Sequence, residues 1–181
     1  MKKIIISGPQ CSGKTTLINE LSKEFFIVKE SAASIIFEER VLPSQENFLD
    51  FQEKVFETQK KNEAQIPKNN RVVFLDRSHV DQIIYYKEKN ITPPKKLARE
   101  IKKSNYSAVI FLEIMPKEYW TKTINGKPKF CSYEMGAERG KRLLAEYKAQ
   151  KIPLFILPVM SVQERAKKVK EILAQLEKGY F

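Results

Sequence analysis

The residues with the most chemical potential in this chain are Gly8-Pro9-Gln10-Cys11-Ser12-Gly13-Lys14-Thr15, a match to the pattern G-x-x-x-x-G-K-S/T. The two glycines let the main chain curl tightly, so that successive N–H groups can face one anion. Lys14 can reach the β- and γ-phosphates of a nucleotide, and the Thr15 hydroxyl is a hard oxygen suited to Mg²⁺. The flanks give the pattern its weight. Ile4-Ile5-Ile6 precedes it and Thr16-Leu17-Ile18-Asn19-Glu20-Leu21 follows, which is the order buried strand, glycine loop, amphipathic helix. The helix adds its positive N-terminal end to the cradle. A loop of this kind holds a nucleoside triphosphate with its Mg²⁺.

Two carboxylates fall where they can serve that ligand. Asp76-Arg77-Ser78 closes the apolar run Val72-Val73-Phe74-Leu75. An acid at the end of such a strand can hold Mg²⁺ through water, and a guanidinium beside it can fork onto a phosphate or a sugar hydroxyl. Asp76 or Ser78 can also cap the next helix, and the two roles are compatible. No acid follows Asp76 to activate water, which favours transfer to a bound acceptor over rapid hydrolysis. Glu30 closes Phe25-Phe26-Ile27-Val28-Lys29. There it can accept a proton from an acceptor hydroxyl, or simply be a glutamate favoured at a helix N-terminus. Whether Glu30 or Asp76 is the base stays open. Arg139 and Arg142, three apart on one helix, can clamp a phosphoryl group or form a solvated face. Lys127 and Lys129 carry the same alternatives. His79, the only histidine, is either a pocket wall or a first-turn helix residue. Asp81 and Tyr85 read as structural.

The elements that position these groups alternate along the chain. Short apolar runs at Lys3–Ser7, Phe25–Lys29, Val72–Asp76, Ala108–Ile114 and Leu154–Leu157 read as strands covered on both faces. Helical patterns lie between them at Lys14–Lys23, Ser31–Arg40, Gln45–Gln65, Ser78–Lys89, Pro94–Lys103, Glu134–Gln150 and Val162–Glu177. The alternation predicts one three-layer α/β/α domain over 1–181 with a five-stranded parallel sheet. Pro116–Tyr133 is the least regular stretch, with Asn125-Gly126 as a turn signal and lysines at 117, 122, 127 and 129. It leaves the carboxyl end of the fourth strand, where ligands bind in open α/β sheets, and reads as a lid, with Ser132 able to cap the next helix.

Bulk properties narrow the partners. Residues 1–83 hold 12 basic and 12 acidic side chains, so the net charge of +11 comes wholly from the rest of the chain. A basic half suits polyphosphates, nucleic acid or an anionic membrane, or is a solvated lysine-rich face. Cys11 and Cys131 are too few and too far apart in sequence for a metal site, and a reducing cytoplasm is the simplest home. No stretch approaches the roughly twenty apolar residues of a membrane span. There is no N-K-x-D string to read guanine.

Together these residues resemble a known family. Ile4–Leu21, Glu30-Ser31-Ala32, Asp76-Arg77 with Asp81 and Tyr85, then Tyr147, Pro158 and Ser161-Val162-Gln163-Glu164-Arg165 look like the small AAA-type P-loop domain similar to the nicotinamide riboside kinase domain of NAD regulators. The likeness to deoxynucleoside and nucleoside monophosphate kinases is looser. The resemblance implies the P-loop NTPase fold with strand order 2-3-1-4-5, and ATP·Mg²⁺ as donor. It also implies an acceptor-site role for Glu30, Mg²⁺ at Asp76, and acceptor or phosphates at Arg77. The lid of such proteins tends to carry arginine, whereas lysine offers a point charge instead of a fork.

The chain therefore reads as an ATP-dependent kinase of a small, hydroxyl-bearing, nucleoside-like metabolite. Lys14, Glu30, Asp76 and Arg77 form its catalytic set. Gly8 to Thr15, Thr16, Lys129, Arg139 and Arg142 meet the nucleotide, and Thr15 and Asp76 the metal. A nucleotide-binding regulatory module with little turnover is the alternative. A polynucleotide 5′-end kinase, suggested by the basic half, ranks last because no aromatic residues interleave the lysine runs. Oligomeric state is left open.

Overall fold

A computed structural model describes residues 1–120, 123–124, 127–128 and 131–178. Its main sheet is built from β1 (Lys2–Ser7), β2 (Phe26–Val28), β3 (Val72–Asp76), β4 (Ala108–Leu112) and, after a short hairpin, β7 (Leu154–Leu157). All neighbours are parallel in the order β2-β3-β1-β4-β7, which is 2-3-1-4-5 counted along the main sheet. Helices α1 (Lys14–Leu21), α2 (Ser31–Phe37), α3 (Phe48–Ala64), α4 (His79–Glu88), α5 (Lys95–Ser104), α6 (Tyr133–Ala149) and α7 (Val162–Glu177) make the crossovers.

The period of two in each strand divides the core between the faces of the sheet. Ile4, Ile6, Phe74, Ala108, Ile110 and Leu112 pack with α1 and α7 on one side. Ile5, Val73, Leu75, Val109 and Phe111 pack with α3 to α6 on the other. Ile4, Ile5 and Ile6 are 0% exposed, which is why the central strand reads as an unbroken apolar run. The edge strand β7 is covered less completely, and Ile156 lies exposed on it.

Several boundaries differ from the sequence expectation for local reasons. Phe25 is spent on the turn out of α1, its N–H bonding the Leu21 carbonyl at 3.0 Å, so β2 is short. Ser44 and Asn47 exchange side-chain bonds, with the Ser44 N–H on Asn47 Oδ1 at 2.7 Å, and α3 begins only after that turn. Arg40 stands at φ 59° beyond the end of α2. The expected irregular stretch before α6 contains a 3₁₀ turn, Lys117–Tyr119, and an antiparallel pair, β5 (Thr123–Ile124) with β6 (Lys127–Pro128). Asn125-Gly126, Lys122 and Lys129 lie outside the described residues. Ser132 caps α6 as expected, accepting the Met135 N–H at 3.2 Å.

Register brings the strand tips level. Val28 pairs Leu75, and Ile6 pairs Asp76. Because β2, β3 and β1 are neighbours, Glu30, Asp76-Arg77 and Gly8 stand in a row along the carboxyl edge, where open α/β sheets bind ligands. The loop between β1 and α1 fits there only because of Gly8, which has φ 144° and would bring an added Cβ within 2.4 Å of the Leu112 carbonyl oxygen. Gly8→Ala is therefore expected to cost on the order of 3 kcal/mol. A lowered urea midpoint at unchanged slope would check this.

Candidate active site

The loop residues Gly8 to Thr15 wrap around the ammonium of Lys14, the first residue of α1. Its Nζ donates to the carbonyls of Gly8 at 2.8 Å and Pro9 at 2.7 Å, and contacts Ser12 Oγ at 3.4 Å. Burial pushes the Lys14 pKa down to about 7, the nearby Arg77 adding to the effect, while Asp76 and Glu30 oppose it. Thr15 and Thr16 are exposed at the mouth of the loop. Cys11 adopts φ 58°, with its carbonyl bonded by the Met115 N–H at 2.8 Å and its thiol on the Tyr119 carbonyl at 3.4 Å. Gln10 accepts from Cys131 Sγ at 3.1 Å. Both flanks of the expected lid are thus tied to the tip of the loop.

Asp76 Oδ1 is buried and has no hydrogen-bond partner among the described residues. Burial and then the Glu30 charge push its pKa up to about 6. A bare carboxylate oxygen beside the loop is the acceptor that a hydrated cation requires, so Asp76, with the Thr15 hydroxyl, fits Mg²⁺.

Arg77 adopts φ 71°. Its Nε donates to Glu30 Oε1 at 2.8 Å, and its Nη1 to Asp81 Oδ1 at 3.0 Å and the Gly8 carbonyl at 3.4 Å. Burial opposes the charge, but Glu30, Tyr85 and Asp81 outweigh it and hold Arg77 ionised. Asp81, read from the sequence as structural, gathers several donors. Its buried carboxylate also accepts Ser7 Oγ at 2.9 Å, the Ser78 N–H at 3.0 Å and the Tyr147 hydroxyl. Tyr147 in turn meets Ser78 Oγ at 3.0 Å. Asp81 and Tyr85 line a cleft together with Gly8, Pro9, Gln10, Arg77, Ile84, Arg139 and Leu143.

The two arginines expected to share a helix face part company. Arg139 reaches the cleft, over the Tyr85 ring at 5.3 Å, and forks onto Glu88 with bonds of 2.7 and 2.8 Å. Arg142 stays half exposed and bonds Glu138 at 3.3 Å. His79 is not among the cleft-lining residues. It is fully buried against Phe56, 4.9 Å between ring centroids, with Nδ1 on Gln82.

Two further supports carry weaker signals in the sequence. Arg165 is buried beneath the loop, donating to the Ser12 carbonyl and twice to the Pro158 carbonyl. The Ser161–Glu164 capping box that sets its helix turn is visible in the sequence, but the reach of Arg165 is not. Gly136 and Gly140 interrupt α6, and each glycine costs an exposed helix about 1 kcal/mol against alanine. Gly140 lets the helix lie on the loop, since a Cβ there would stand 3.0 Å from Pro9 Cγ.

With this geometry in place, comparison with known proteins is informative. A family model described as an AAA domain matches residues 3–165. The chain belongs to that family, in keeping with the resemblance read from its motifs. No curated protein sequence matches it. Among solved structures, a deoxyadenosine kinase from M. mycoides with bound dATP aligns at a TM-score of 0.69 and 20% identity, covering 96% of this chain and 100% of the other. A thymidylate kinase from Candida albicans aligns at 0.65 and 15%, covering 97% and 92%. NadR in complex with NR aligns at 0.63 and 17%, covering 86% and 45%. The fold is thus one shared with kinases. Among the described residues, no helix is long and apolar enough to cross a membrane.

The two shifted groups make opposite pH signatures. Between about pH 7 and 10.5 the unfolded chain holds a proton at Lys14 that the folded chain lacks, so stability rises with pH there. Between pH 3.8 and about 6 the folded chain holds the extra proton at Asp76, so stability falls. Urea titrations across pH are expected to lose the rise in Lys14→Met and the fall in Asp76→Asn.

Proposed function

We propose that the protein transfers the γ-phosphoryl group of ATP to a hydroxyl of a small nucleoside-like molecule. The observation that carries this reading is the pair Glu30–Arg77, 2.8 Å long, set on neighbouring strand tips directly beside the phosphate loop. The loop and Lys14 grip the triphosphate. Mg²⁺, when bound at Thr15 and Asp76, supplies positive charge that offsets the phosphates. Arg77 fixes Oε1 of Glu30, and the other carboxylate oxygen takes the proton of the acceptor hydroxyl. The acceptor oxygen then forms its bond to the γ-phosphorus as the bond to the bridging oxygen breaks, ADP leaves, and Glu30 releases its proton to water. The residue after Asp76 is a cation, not an acid placed to activate water, which supports transfer over hydrolysis. In this reading Arg139, Arg142 and Lys129 are further candidates to meet the phosphates, Lys129 lying outside the described residues and Arg139 bonded to Glu88. A reaction that consumes ATP, and Cys11 and Cys131 present as thiols, suit a reducing cytoplasm.

Incubation with γ-labelled ATP, Mg²⁺ and a panel of nucleosides and 5′-hydroxyl oligonucleotides is expected to label one or more nucleosides as a monoester and to leave the oligonucleotides unlabelled. Label found only in free phosphate, or only retained on the protein as bound ATP, would overturn the proposal. Glu30→Gln is expected to lower kcat by about 10²- to 10⁴-fold. ATP affinity, measured by calorimetry, should change far less.

A further inference from the structure

Arg77 and Arg139 are each held by a carboxylate, but Arg165 is not. Only 2% exposed beneath the phosphate loop, it donates through Nη1 to the Ser12 carbonyl and through Nε and Nη2 to the Pro158 carbonyl at 3.3 and 3.1 Å. It enters no ion pair among the described residues. Glu113, exposed just beyond β4, offsets only part of the cost of burial, so the Arg165 pKa is pulled below its ordinary value. A guanidinium stays charged even so. Main-chain carbonyls satisfy its N–H groups without cancelling its charge, and a buried charge that lacks a counter-ion is costly. An anion held in the loop above supplies the missing counter-charge.

The same side chain sets the direction of a loop amide. A trans peptide is planar, so the Ser12 C=O and the Gly13 N–H point to opposite sides. With the carbonyl drawn down onto Arg165, the Gly13 N–H faces away from it, into the phosphate cradle. Gly13 is the N-cap of α1, whose N–H has no partner within the helix, and none is found among the described residues. That N–H is left for an anion. Arg165 is itself fixed from two sides. The Ser161–Glu164 capping box opens its helix, and its own N–H bonds the Ser161 carbonyl at 3.0 Å.

We infer that Arg165 is a positioning residue for the polyphosphate: without touching the ligand, it aims the Gly13 N–H at it and supplies a buried positive charge that the ligand neutralises. The inference rests on the loop holding a polyphosphate, as in the reading above, but not on transfer to an acceptor.

Two ligands test it, each with Mg²⁺: ATP, and inorganic tripolyphosphate, which has neither base nor sugar. ATP is titrated by calorimetry. Tripolyphosphate is read by its displacement of a fluorescent ATP analogue, so that binding to lysines elsewhere on the surface does not register. Arg165→Gln, which removes the charge, is expected to weaken both ligands by the same factor, about tenfold or more, the order that one charge exerts on another in a partly buried setting. Arg165→Met makes the same test if Arg165→Gln does not fold. Arg165→Lys, which keeps the charge and can still donate to the Ser12 carbonyl, should recover most of the lost affinity. A side chain that merely fastened α7 would show in the melting temperature and leave the affinity of the folded protein unchanged. A neutral variant whose tripolyphosphate affinity stays within about twofold of wild type would therefore overturn the inference, whatever its melting temperature. So would a loss confined to ATP, which puts the effect at the base, or a lysine variant as weak as the neutral ones. Wild type that binds neither ligand would sink this inference and the proposed function together. Affinities that respond to Arg165 as expected, without transfer to any acceptor, would count against the kinase reading alone.

Discussion

The site depends on one buried carboxylate. Asp81 collects Ser7 Oγ from the end of β1, the Ser78 N–H from the start of α4, Arg77 from the tip of β3 and the Tyr147 hydroxyl from α6. A charge 3% exposed is tolerable only when its lone pairs are filled, and here four donors fill them. The consequence is geometric. β1, the β3–α4 junction and α6 are pinned to one point in the wall of the cleft. Burial and the Asp81 charge both push the Tyr147 pKa up, so its hydroxyl stays protonated and available as a donor. Arg77, held at φ 71°, would otherwise be free to swing, and the Glu30 carboxylate that it orients would lose its bearing.

A second constraint is that α6 must lie close to the loop without crushing it. Gly140 permits the approach to Pro9, and Arg139–Glu88 with Lys87–Glu146 fix the helix against α4. From below, Arg165 of α7 braces the Ser12 carbonyl, and Gly13, at φ 82°, takes the left-handed conformation that glycine adopts without strain. The loop is therefore held from the β4 side by Gly8 against Leu112, from α6 and from α7. Such preorganisation lets main-chain groups meet an anion without a reordering cost.

How much of this was legible in the sequence follows from the range of each interaction. Strands β1, β3 and β4 declared themselves because burial on both faces leaves continuous apolar runs. Caps at Ser78 and Ser132 did so because a cap is a contact within four residues. The phosphate loop was legible because its requirement is for backbone freedom, which only particular residue types supply. What could not be read is what the third dimension decides. Asp81 read only as structural; it completes a capping box with Ser78, and nothing local shows that its other oxygen meets Ser7 and Arg77. Arg139 and Arg142, equivalent by spacing, were separated by what each faces: Glu88 and Tyr85 for the first, its own helix for the second.

The basic excess of the second half of the chain takes on a different meaning once the fold is known. Lys102 and Lys103 fall in the last turn of α5 and Lys148 in the last turn of α6. Three residues separate the end of α5 from the start of β4, and four separate α6 from β7, so these lysines gather at the amino edge of the sheet, opposite the phosphate loop. Cations are stabilised at helix C-termini by the partial negative charge of the unpaired carbonyls, which is sufficient reason for them to be there. Screening over about 8–10 Å at ordinary ionic strength leaves them little influence on a ligand at the far edge. The electrostatics of the cleft is instead set locally, by the two arginines and the three carboxylates that hold them. Net charge, the most visible number in the composition, is thus a poor guide to the charge that a ligand at this site would meet.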